Sequence, residues 1–450
     1  MSSIAPSVFF VALLTVALVR LPPLHPIQVY SAPWTVATIL YALKLLPYRE
    51  LGWPTVAVIC SSALVFSAAA LVGERAGSRA WSHTRSSGEA RSPVAGASSS
   101  VAHSVAARHA AWAAMLLGAP LFLAYLVQTT ARFGPVDTLL VAKGVRGALV
   151  TQPPLRALLY ERLAFPAAAL WSLAAALAIA PAARRRCLIG WSCAAGSLYF
   201  STGRELLVNA LIIAVIVQLT IGKRRLAGRR IAVILAALAV SAMVLFVGVG
   251  ALGGHTFNSS GISTFDNFFA RHHAVSGLAL PYEDLSAPIA ALDRRVTLAS
   301  TWGRTYGCAT AARECALLQD TGLPIDRSPP APPFTGSPLP WNAYTYLDDF
   351  LLDGGRALVW LLVACMGVLA GLAWSLSRLR NHYGVIVYAF VVPVLIFSYR
   401  QNLLDNFLLD ALTAMALLWV STRFALRSRQ PLTRRSPGAG PLGQADRSTA

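Results

Sequence analysis

The chain has 450 residues, of which 56% are hydrophobic and 13% charged, and its mean hydropathy is +0.58. An ordinary soluble domain carries about a quarter charged residues, so this composition excludes that class and favours helices that span a lipid bilayer. The net charge is +19, but the basic residues form short clusters between apolar runs, with no interleaved aromatic residues and no compact basic domain. That distribution argues against nucleic-acid binding and is typical of basic cytoplasmic loops.

Eleven apolar stretches follow one another along the chain. They lie at 4–20, 28–46, 51–72, 110–132, 164–182, 187–201, 204–222, 231–253, 355–375, 384–399 and 405–422. A spanning helix needs about 20 residues, so the sixth and the tenth stretch are short for this role. The pattern predicts an all-α, polytopic transmembrane bundle of about eleven helices with one large extracytoplasmic loop.

The same pattern divides the chain into six parts. These are N-terminal transmembrane helices at 1–72, a flexible cytoplasmic loop at 73–109, transmembrane helices at 110–253 with an outer segment at 133–163, the large extracytoplasmic loop at 254–350, C-terminal transmembrane helices at 351–425, and a disordered cytoplasmic tail at 426–450. The loop at 73–109 is rich in Ser, Ala, Gly and Arg, and the tail is polar and rich in Pro and Gly.

Four basic clusters set the predicted orientation. They lie at 184–186, 223–230, 378–380 and 423–435, and acidic residues are almost absent from them. If the eleven spans alternate, all four fall on one side, which the positive-inside rule assigns to the cytoplasm. The C-terminus is then inside and the N-terminus outside. The long loop at 254–350 mixes six arginines with nine acidic residues and faces outward.

Two arginines lie on very short outer turns between apolar helices. Arg204 belongs to Ser-Thr-Gly-Arg-Glu, and Arg400 to Phe-Ser-Tyr-Arg-Gln-Asn. We expect both at the outer membrane boundary, where a planar guanidinium binds phosphate with two hydrogen bonds. A diphosphate lipid is a natural ligand there. Contact with lipid headgroups, or an ion pair between Arg204 and Glu205, is the alternative explanation.

A third polar segment runs from the large loop into an apolar helix and ends in Asp353-Gly354-Gly355. The glycines allow a tight turn at this entry. An acidic residue at the start of a helix is stabilised by the helix dipole, so Asp353 is either such a cap or a carboxylate that acts as a general base on a sugar hydroxyl.

The cysteines divide into two groups. Four lie in apolar runs, where they are expected to pack as small hydrophobic residues. Cys308 and Cys315 share the large loop, where an oxidising compartment allows a disulfide. No set of His and Cys has zinc-ligand spacing, so the sequence predicts no metal site.

The stretch from Asn342 to Trp374 resembles the signature of the O-antigen polymerases, the oligosaccharide repeat unit polymerase family. There an Asn-x-Tyr-Thr segment leads into a Tyr-x-Asp-Phe turn and a glycine-containing helix, although Leu351 stands here in place of the usual glycine. The Ser-x-x-Arg element at 201–204 and the Ser-Tyr-Arg-x-Asn turn at 398–402 are also similar to the family. The likeness covers roughly 195–420.

The resemblance implies a GT-C-like membrane glycosyltransferase that polymerises undecaprenyl-diphosphate-linked repeat units into a surface polysaccharide. Transfer is expected to be inverting and metal-independent, without a cofactor. The protein would lie in the bacterial cytoplasmic membrane, with its active site on the extracytoplasmic face. Expected partners are the lipid-linked oligosaccharide, the bilayer, a chain-length regulator and a flippase, and no nucleic acid.

The resemblance and the outer location of these residues suggest roles. Asp349 is the first candidate for a catalytic base, with His272, His273 and Glu283 behind it, and Arg304 is a further catalytic candidate. Expected diphosphate ligands are Arg204, Arg400 and Arg271. Expected glycan and acceptor contacts are Arg146, Arg156, Arg162, Asn342, Tyr344, Tyr346 and Asn402. Arg294, Arg295, Arg313 and Arg327 are expected to pair with acids on the surface.

Three other functions remain open. An O-antigen ligase-like transferase shares the architecture and differs in its acceptor. An arabinosyl or mannosyl transferase usually carries an acidic pair in its first outer loop, and the corresponding loop at 47–50 is short. A transporter or flippase would show broken, polar helices at the membrane midplane and often an internal repeat.

Overall fold

The computed structural model describes most of the chain as helices. The described residues are 2–86, 93–140, 155–202, 204–221, 266–299, 303, 305–311, 315, 318, 344–379, 381–401 and 403–427, and they contain no strand. The all-α class is therefore confirmed for the described part of the chain.

Thirteen α-helices are described. They are α1 (Ala5–Arg20), α2 (Pro26–Leu43), α3 (Trp53–Ser86), α4 (Pro93–Phe133), α5 (Pro135–Leu140), α6 (Leu155–Leu177), α7 (Pro181–Thr202), α8 (Arg204–Ile221), α9 (Phe268–Arg271), α10 (Ala279–Thr297), α11 (Tyr346–Arg378), α12 (His382–Phe397) and α13 (Leu404–Arg427). A 3₁₀ turn at His273–Leu278 joins α9 to α10.

Four described segments are long and apolar enough to cross a membrane. They are Trp53–Arg79, Val101–Phe133, Tyr346–Arg378 and Phe407–Phe424. Three shorter apolar helices accompany them at Ala5–Arg20, Leu206–Ile221 and His382–Phe397. These segments support a membrane protein, while the number of eleven spans stays a prediction, because the expected span at 231–253 lies outside the described residues.

Two expected loops contain helices in the structure. The segment at 73–109 was predicted to be flexible, but α3 continues to Ser86 and α4 already begins at Pro93. This stretch is rich in alanine, the strongest helix former, and its serine and glycine content was misleading. The large outer loop likewise contains α9 and α10. The predicted tail beyond Arg427 lies outside the described residues.

Helices α3 and α11 make the closest helix contact in the described bundle. A Cβ atom placed on Gly371 would lie 1.9 Å from the carbonyl oxygen of Ala70, and one on Gly73 would lie 2.2 Å from that of Val368. Glycines therefore let the two backbones touch, as small residues do between membrane helices. Successive contacts advance along both helices in the same direction, so α3 and α11 run parallel.

The start of α2 is fixed next to the far end of α3. His25 caps α2 by accepting a hydrogen bond from the backbone N–H of Ile27 at 3.2 Å. Because its Nδ1 accepts, its Nε2 carries the proton and donates to Glu74 at 3.3 Å. The start of α2 and Glu74 of α3 thus lie at the same end of the bundle, the end that the predicted topology assigns to the cytoplasm.

We predict that Gly371→Ala destabilises the bundle. The added methyl would overlap the α3 backbone, which costs about 1–3 kcal/mol in a well-packed interface. Gly196→Ala is the matched control, because no atom lies within 4 Å of a Cβ atom at that position of α7. Thermal unfolding in detergent should show a lower Tm for Gly371→Ala alone, and equal Tm values for the two variants would contradict the close contact.

Candidate functional site

The turn after α12 lies deep in the bundle. The indole Nε1 of Trp34 donates a 2.9 Å hydrogen bond to Ser398 Oγ, at the C-terminal end of α12. Trp34 precedes Leu43, the last residue of α2, by nine residues, which corresponds to about 13 Å at 1.5 Å per residue. The Arg400 turn therefore lies beside the middle of α2, and its predicted place at the outer membrane boundary stays a prediction.

Helix α11 is broken near its start. Gly354 and Gly355 have non-helical backbone angles, and Gly355 has a φ of +68°, which favours glycine. The segment before the break begins at the deep turn, where the N–H of Tyr346 donates to the carbonyl oxygen of Ser398 at 3.0 Å. Its phenol hydroxyl also lies 2.9 Å from that of Tyr30 on α2. This first segment therefore rises from the deep turn to the break, and the rest of α11 descends beside α3.

Helix α10 covers this arrangement. The hydroxyl of Tyr282 donates to the carbonyl oxygen of Leu40 at 2.7 Å and accepts from the N–H of Leu45 at 2.9 Å. Farther along, Asp293 accepts from the N–H of Gly52 at 2.8 Å and from the hydroxyl of Thr55 at 2.6 Å. These bonds fix α10 along the connection between α2 and α3.

An ion pair joins α10 to the turn after α12. Arg400 Nη2 lies 3.6 Å from Asp284 Oδ2, and the two side chains are only 16% and 10% exposed. Since charges removed from water interact strongly and are costly to leave unpaired, this contact ties α10 to the turn between α12 and α13. Asp284 was not among the predicted site residues.

Glu283 is a buried carboxyl beside this pair. It is 1% exposed, and neither of its oxygens has a hydrogen-bond partner among the described residues. Burial raises its pKa to about 8, and the neighbouring charge of Asp284 acts in the same direction. Glu283 is therefore protonated at neutral pH, and it was predicted only as a reserve candidate for the base.

A second charged group lies where α10 meets the start of α11. Arg295 was expected to pair on the surface, but it is 2% exposed. Burial lowers its pKa, while Asp348, Tyr344 and Asp349 act in the opposite direction. Asp348 is also buried and accepts a 2.8 Å hydrogen bond from the hydroxyl of Thr345. The half-buried Asp349, the predicted base, thus lies in the field of a buried arginine.

The helical period could have identified these two charges. Residues 284, 288, 291 and 295 recur every three or four positions, and all four are buried on one face of α10. The sequence analysis treated 254–350 as one loop, and only a helix places Asp284 and Arg295 on a common face.

Asp353 anchors a loop. Its carboxylate accepts hydrogen bonds from the hydroxyl of Thr305 and from the backbone N–H groups of Gly307, Ala309 and Thr310, at 2.6 to 3.0 Å. Asp353 lies just before the break in α11, but its carboxylate binds these loop groups and does not cap the segment that follows the break. A disulfide between Cys308 and Cys315 closes the same loop.

Two predicted loop residues have other partners. Arg271 binds Asp266 through two hydrogen bonds of 2.7 Å, and both side chains are exposed. His272 stacks on Phe268 with ring centroids 4.3 Å apart, and its Nδ1 lies 2.9 Å from the carbonyl oxygen of Phe268. No described contact joins either of them to Arg400 or Arg295.

Several predicted residues lie outside the described part. They are Arg146, Arg304, Asn342 and Asn402, together with the side chain of Arg204. The main chain of Arg204 begins α8, which packs against α12, the helix that ends before the Arg400 turn. Arg156 is described and lies exposed near the start of α6.

A further ion pair lies inside the bundle. Arg162 Nη1 of α6 is 3.2 Å from Asp410 Oδ1 of α13, with side chains 12% and 4% exposed. Asp410 belongs to the candidate span Phe407–Phe424. Arg162 was expected to line the acceptor side, and it instead neutralises a carboxylate within the helices.

Comparison with known proteins gives no relative. No protein-family model matches the chain, and no curated protein and no solved structure is similar to it. In the described residues, no group of three His, Cys, Asp or Glu side chains is arranged to hold a metal ion.

We predict that Glu283→Gln stabilises the protein at neutral and alkaline pH. The folded-state pKa of about 8 is above the unfolded value, so wild-type stability falls as pH rises from the unfolded pKa towards 8. Glutamine cannot ionise and removes this loss. The Tm of the variant should exceed that of wild type at pH 8, by on the order of 2–4 °C per kcal/mol regained.

The same Tm difference should vanish near pH 4, where both states of wild type are protonated. Asp266→Asn is the control, because Asp266 is exposed and its pKa is lowered by Arg271. A Glu283→Gln variant that is less stable at pH 8 would contradict the buried, neutral carboxyl.

Proposed function

We propose that the chain is a membrane glycosyltransferase that polymerises oligosaccharide repeat units carried on undecaprenyl diphosphate. The observation that carries the proposal is the ion pair between Arg400 and Asp284, where the turn after α12 meets α10. We call this junction, together with the first segment of α11, the recess. A cation there, on the expected outer side, suits a diphosphate that arrives from the bilayer.

Arg400 would stabilise the departing diphosphate. A positioned cation in a site with little water lowers the energy of a leaving group on which negative charge develops, and arginine matches phosphate with paired N–H donors. Asp284 pairs with the guanidinium until the diphosphate replaces Asp284 as its partner. The diphosphate leaves as an anion, so the reaction needs no metal and no cofactor in this proposal, and it inverts the anomeric centre.

Asp349 would orient and deprotonate the acceptor hydroxyl. It is half-buried and interacts electrostatically with Arg295, and a carboxylate within hydrogen-bond reach of the acceptor hydroxyl can take its proton. Tyr344 also interacts electrostatically with Arg295 and Asp349, and in this proposal it contacts the acceptor sugar. In this proposal the site opens to the extracytoplasmic face of the bacterial cytoplasmic membrane, where a flippase delivers the substrate and a chain-length regulator limits the polymer.

A transporter of lipid-linked glycans is the second candidate. The break at Gly354 and Gly355, and the start of α11 near the middle of α2, match the discontinuous helices that form binding sites in transporters. The ion pair between Arg162 and Asp410 adds a polar group inside the bundle. The transferase is preferred because these features lie together with a candidate base, Asp349, at an outer recess.

We predict that Arg400→Ala abolishes polymer formation. Purified protein would be incubated with a synthetic undecaprenyl-diphosphate-linked repeat, with and without EDTA, and the products separated on a gel. Wild type should give a ladder of longer glycans that survives EDTA. Arg400→Ala and Arg204→Ala should lower the rate by about 100-fold or more, the typical effect of removing a group that stabilises the transition state.

Arg294→Ala is the matched control, because Arg294 is exposed on α10 and was given no role in the reaction, and its ladder should equal that of wild type. Transfer to a different lipid without a ladder would indicate a ligase. Absence of product, together with movement of the substrate across the membrane of proteoliposomes, would contradict the transferase function and support the transporter function.

A further inference from the structure

The break in α11 leaves carbonyl groups without helical partners. The last four carbonyl oxygens of a helical segment have no N–H group of a following turn to accept from, and the first segment of α11 ends at the break. The N–H of Gly303 donates to the carbonyl oxygen of Leu351, and the N–H of Thr305 donates to that of Leu352, both at 3.3 Å. A loop therefore closes the end of this segment. We call it the clamp loop, and its described residues are 303, 305–311 and 315.

The clamp loop also surrounds the side chain of Asp353, which is 7% exposed. Oδ1 of this carboxylate accepts from the hydroxyl of Thr305 and from the N–H groups of Gly307 and Ala309. Oδ2 accepts from the N–H of Thr310 at 2.7 Å. A buried carboxylate is costly to leave without such donors, so the loop and the end of the segment stabilise each other.

Left-handed backbone in the clamp loop directs its N–H groups towards Asp353. Tyr306 has a φ of +49° and Gly307 a φ of +97°. Successive N–H groups around a left-handed residue form a concave site for an anion. Because Tyr306 is not a glycine, this conformation costs energy and persists only where the surrounding contacts impose it. The hydrogen bonds that its neighbours donate to Asp353 are contacts of this kind.

The disulfide between Cys308 and Cys315 restricts the clamp loop to this shape. Ala309 and Thr310, which donate two of the hydrogen bonds to Asp353, lie within the ring that the disulfide closes. A cross-link reduces the number of conformations that the residues between its cysteines can adopt. Reduction of the disulfide should therefore weaken the contact of the loop with Asp353.

The candidate base Asp349 lies on the segment that the clamp loop contacts. Asp349 precedes Asp353 by four residues within the first segment of α11, so the two side chains lie on one face with Cβ atoms about 5–6 Å apart. The segment is bound at its start to the turn after α12, through the N–H of Tyr346. It is bound at its end by the clamp loop. Asp349 lies between these two attachments, so its position depends on both.

We propose that the disulfide between Cys308 and Cys315, acting through Asp353, positions Asp349, and that the protein gains its full rate of transfer only when this disulfide has formed. The inference rests on the proposed function, in which Asp349 deprotonates the acceptor hydroxyl. Asp353 is a positioning residue in this scheme, because it contacts the clamp loop and not the substrate.

The predicted topology explains when the disulfide forms. It places the clamp loop outside the cytoplasm, where disulfides persist. The two thiols pass two electrons and two protons to the disulfide of an extracytoplasmic thiol oxidant, which leaves as a dithiol. The chain thus completes its site after the loop has crossed the membrane.

Hydrogen–deuterium exchange tests the contact of the loop without any transfer reaction. The full-length protein in detergent would be compared before and after treatment with a water-soluble phosphine, which becomes a phosphine oxide as the disulfide becomes two thiols. Amide exchange in peptides that cover 346–353 should accelerate about tenfold on reduction, whereas exchange at 53–70 in α3 should not change.

Cysteine variants control for the reductant. The double variant Cys308→Ser and Cys315→Ser should exchange at the reduced rate with or without the phosphine. Cys365→Ser is the matched control, because Cys365 is an exposed free cysteine of α11, and this variant should behave as wild type.

Substitution of Asp353 should give a graded result. Asp353→Asn keeps one acceptor oxygen but places an NH₂ group opposite the N–H of Thr310, whereas Asp353→Ala loses all the hydrogen bonds of the carboxylate. Exchange at 346–353 should rise about threefold in Asp353→Asn and about tenfold in Asp353→Ala. An unchanged rate in Asp353→Ala would contradict the role of this carboxylate.

The kinetics of polymer formation show whether the loop acts through Asp349. Reduction should lower kcat about tenfold and change KM for the donor less than about twofold, because Arg400 lies on a different turn. The residual rate of Asp349→Asn, measured with a radiolabelled repeat, should not fall further on reduction. A merely structural role of the disulfide would lower the rates of wild type and of Asp349→Asn alike.

The outcomes are distinct. Unchanged exchange at 346–353 after reduction overturns the role of the disulfide, and an equal loss of rate in wild type and Asp349→Asn overturns the positioning of Asp349. Faster exchange on reduction, in a protein that makes no polymer from any donor, supports the contact between the clamp loop and this segment and contradicts the transferase function.

Discussion

The contact between the backbones of α3 and α11 is the constraint on which the outer site depends. Gly73 and Gly371 bring the helices together so closely that no side chain fits between them. The part of α11 after Gly355 is then fixed beside α3. The segment before it therefore approaches from the end of the bundle where α3 begins. The break at Gly354 and Gly355 makes this possible by turning the first segment of α11 back into the bundle, against α2 and the end of α12.

Burial determines the electrostatics of this recess. Its charges occur in groups of opposite sign, Arg400 with Asp284 and Arg295 with Asp348 and Asp349, because an isolated charge is costly to keep away from water. Glu283, which no cation neutralises at close range, remains protonated instead. The recess therefore holds two arginines whose charge is balanced by carboxylates of the same chain, and an incoming anion has to compete with those carboxylates.

Hydropathy was sufficient to predict the helical class and the membrane character, because long apolar runs have few alternative structures. The pairing of Asp284 with Arg400 could not be predicted, since the two residues are 116 positions apart in the chain and only the tertiary fold brings them together. The contact of the Arg400 turn with the middle of α2 could not be predicted for a related reason. A run of 16 apolar residues shows that α12 is short, but not which helix its ends meet.

The short α12 has a consequence for the interior of the bundle. At 1.5 Å per residue its 16 residues extend for about 24 Å, less than the roughly 30 Å of a typical hydrocarbon core. None of these residues is exposed, so other helices and not lipid surround α12. The length that α12 lacks is therefore made up by protein. The turn at its C-terminal end packs against α2 and the first segment of α11, which supply hydrogen-bond partners that water would otherwise provide.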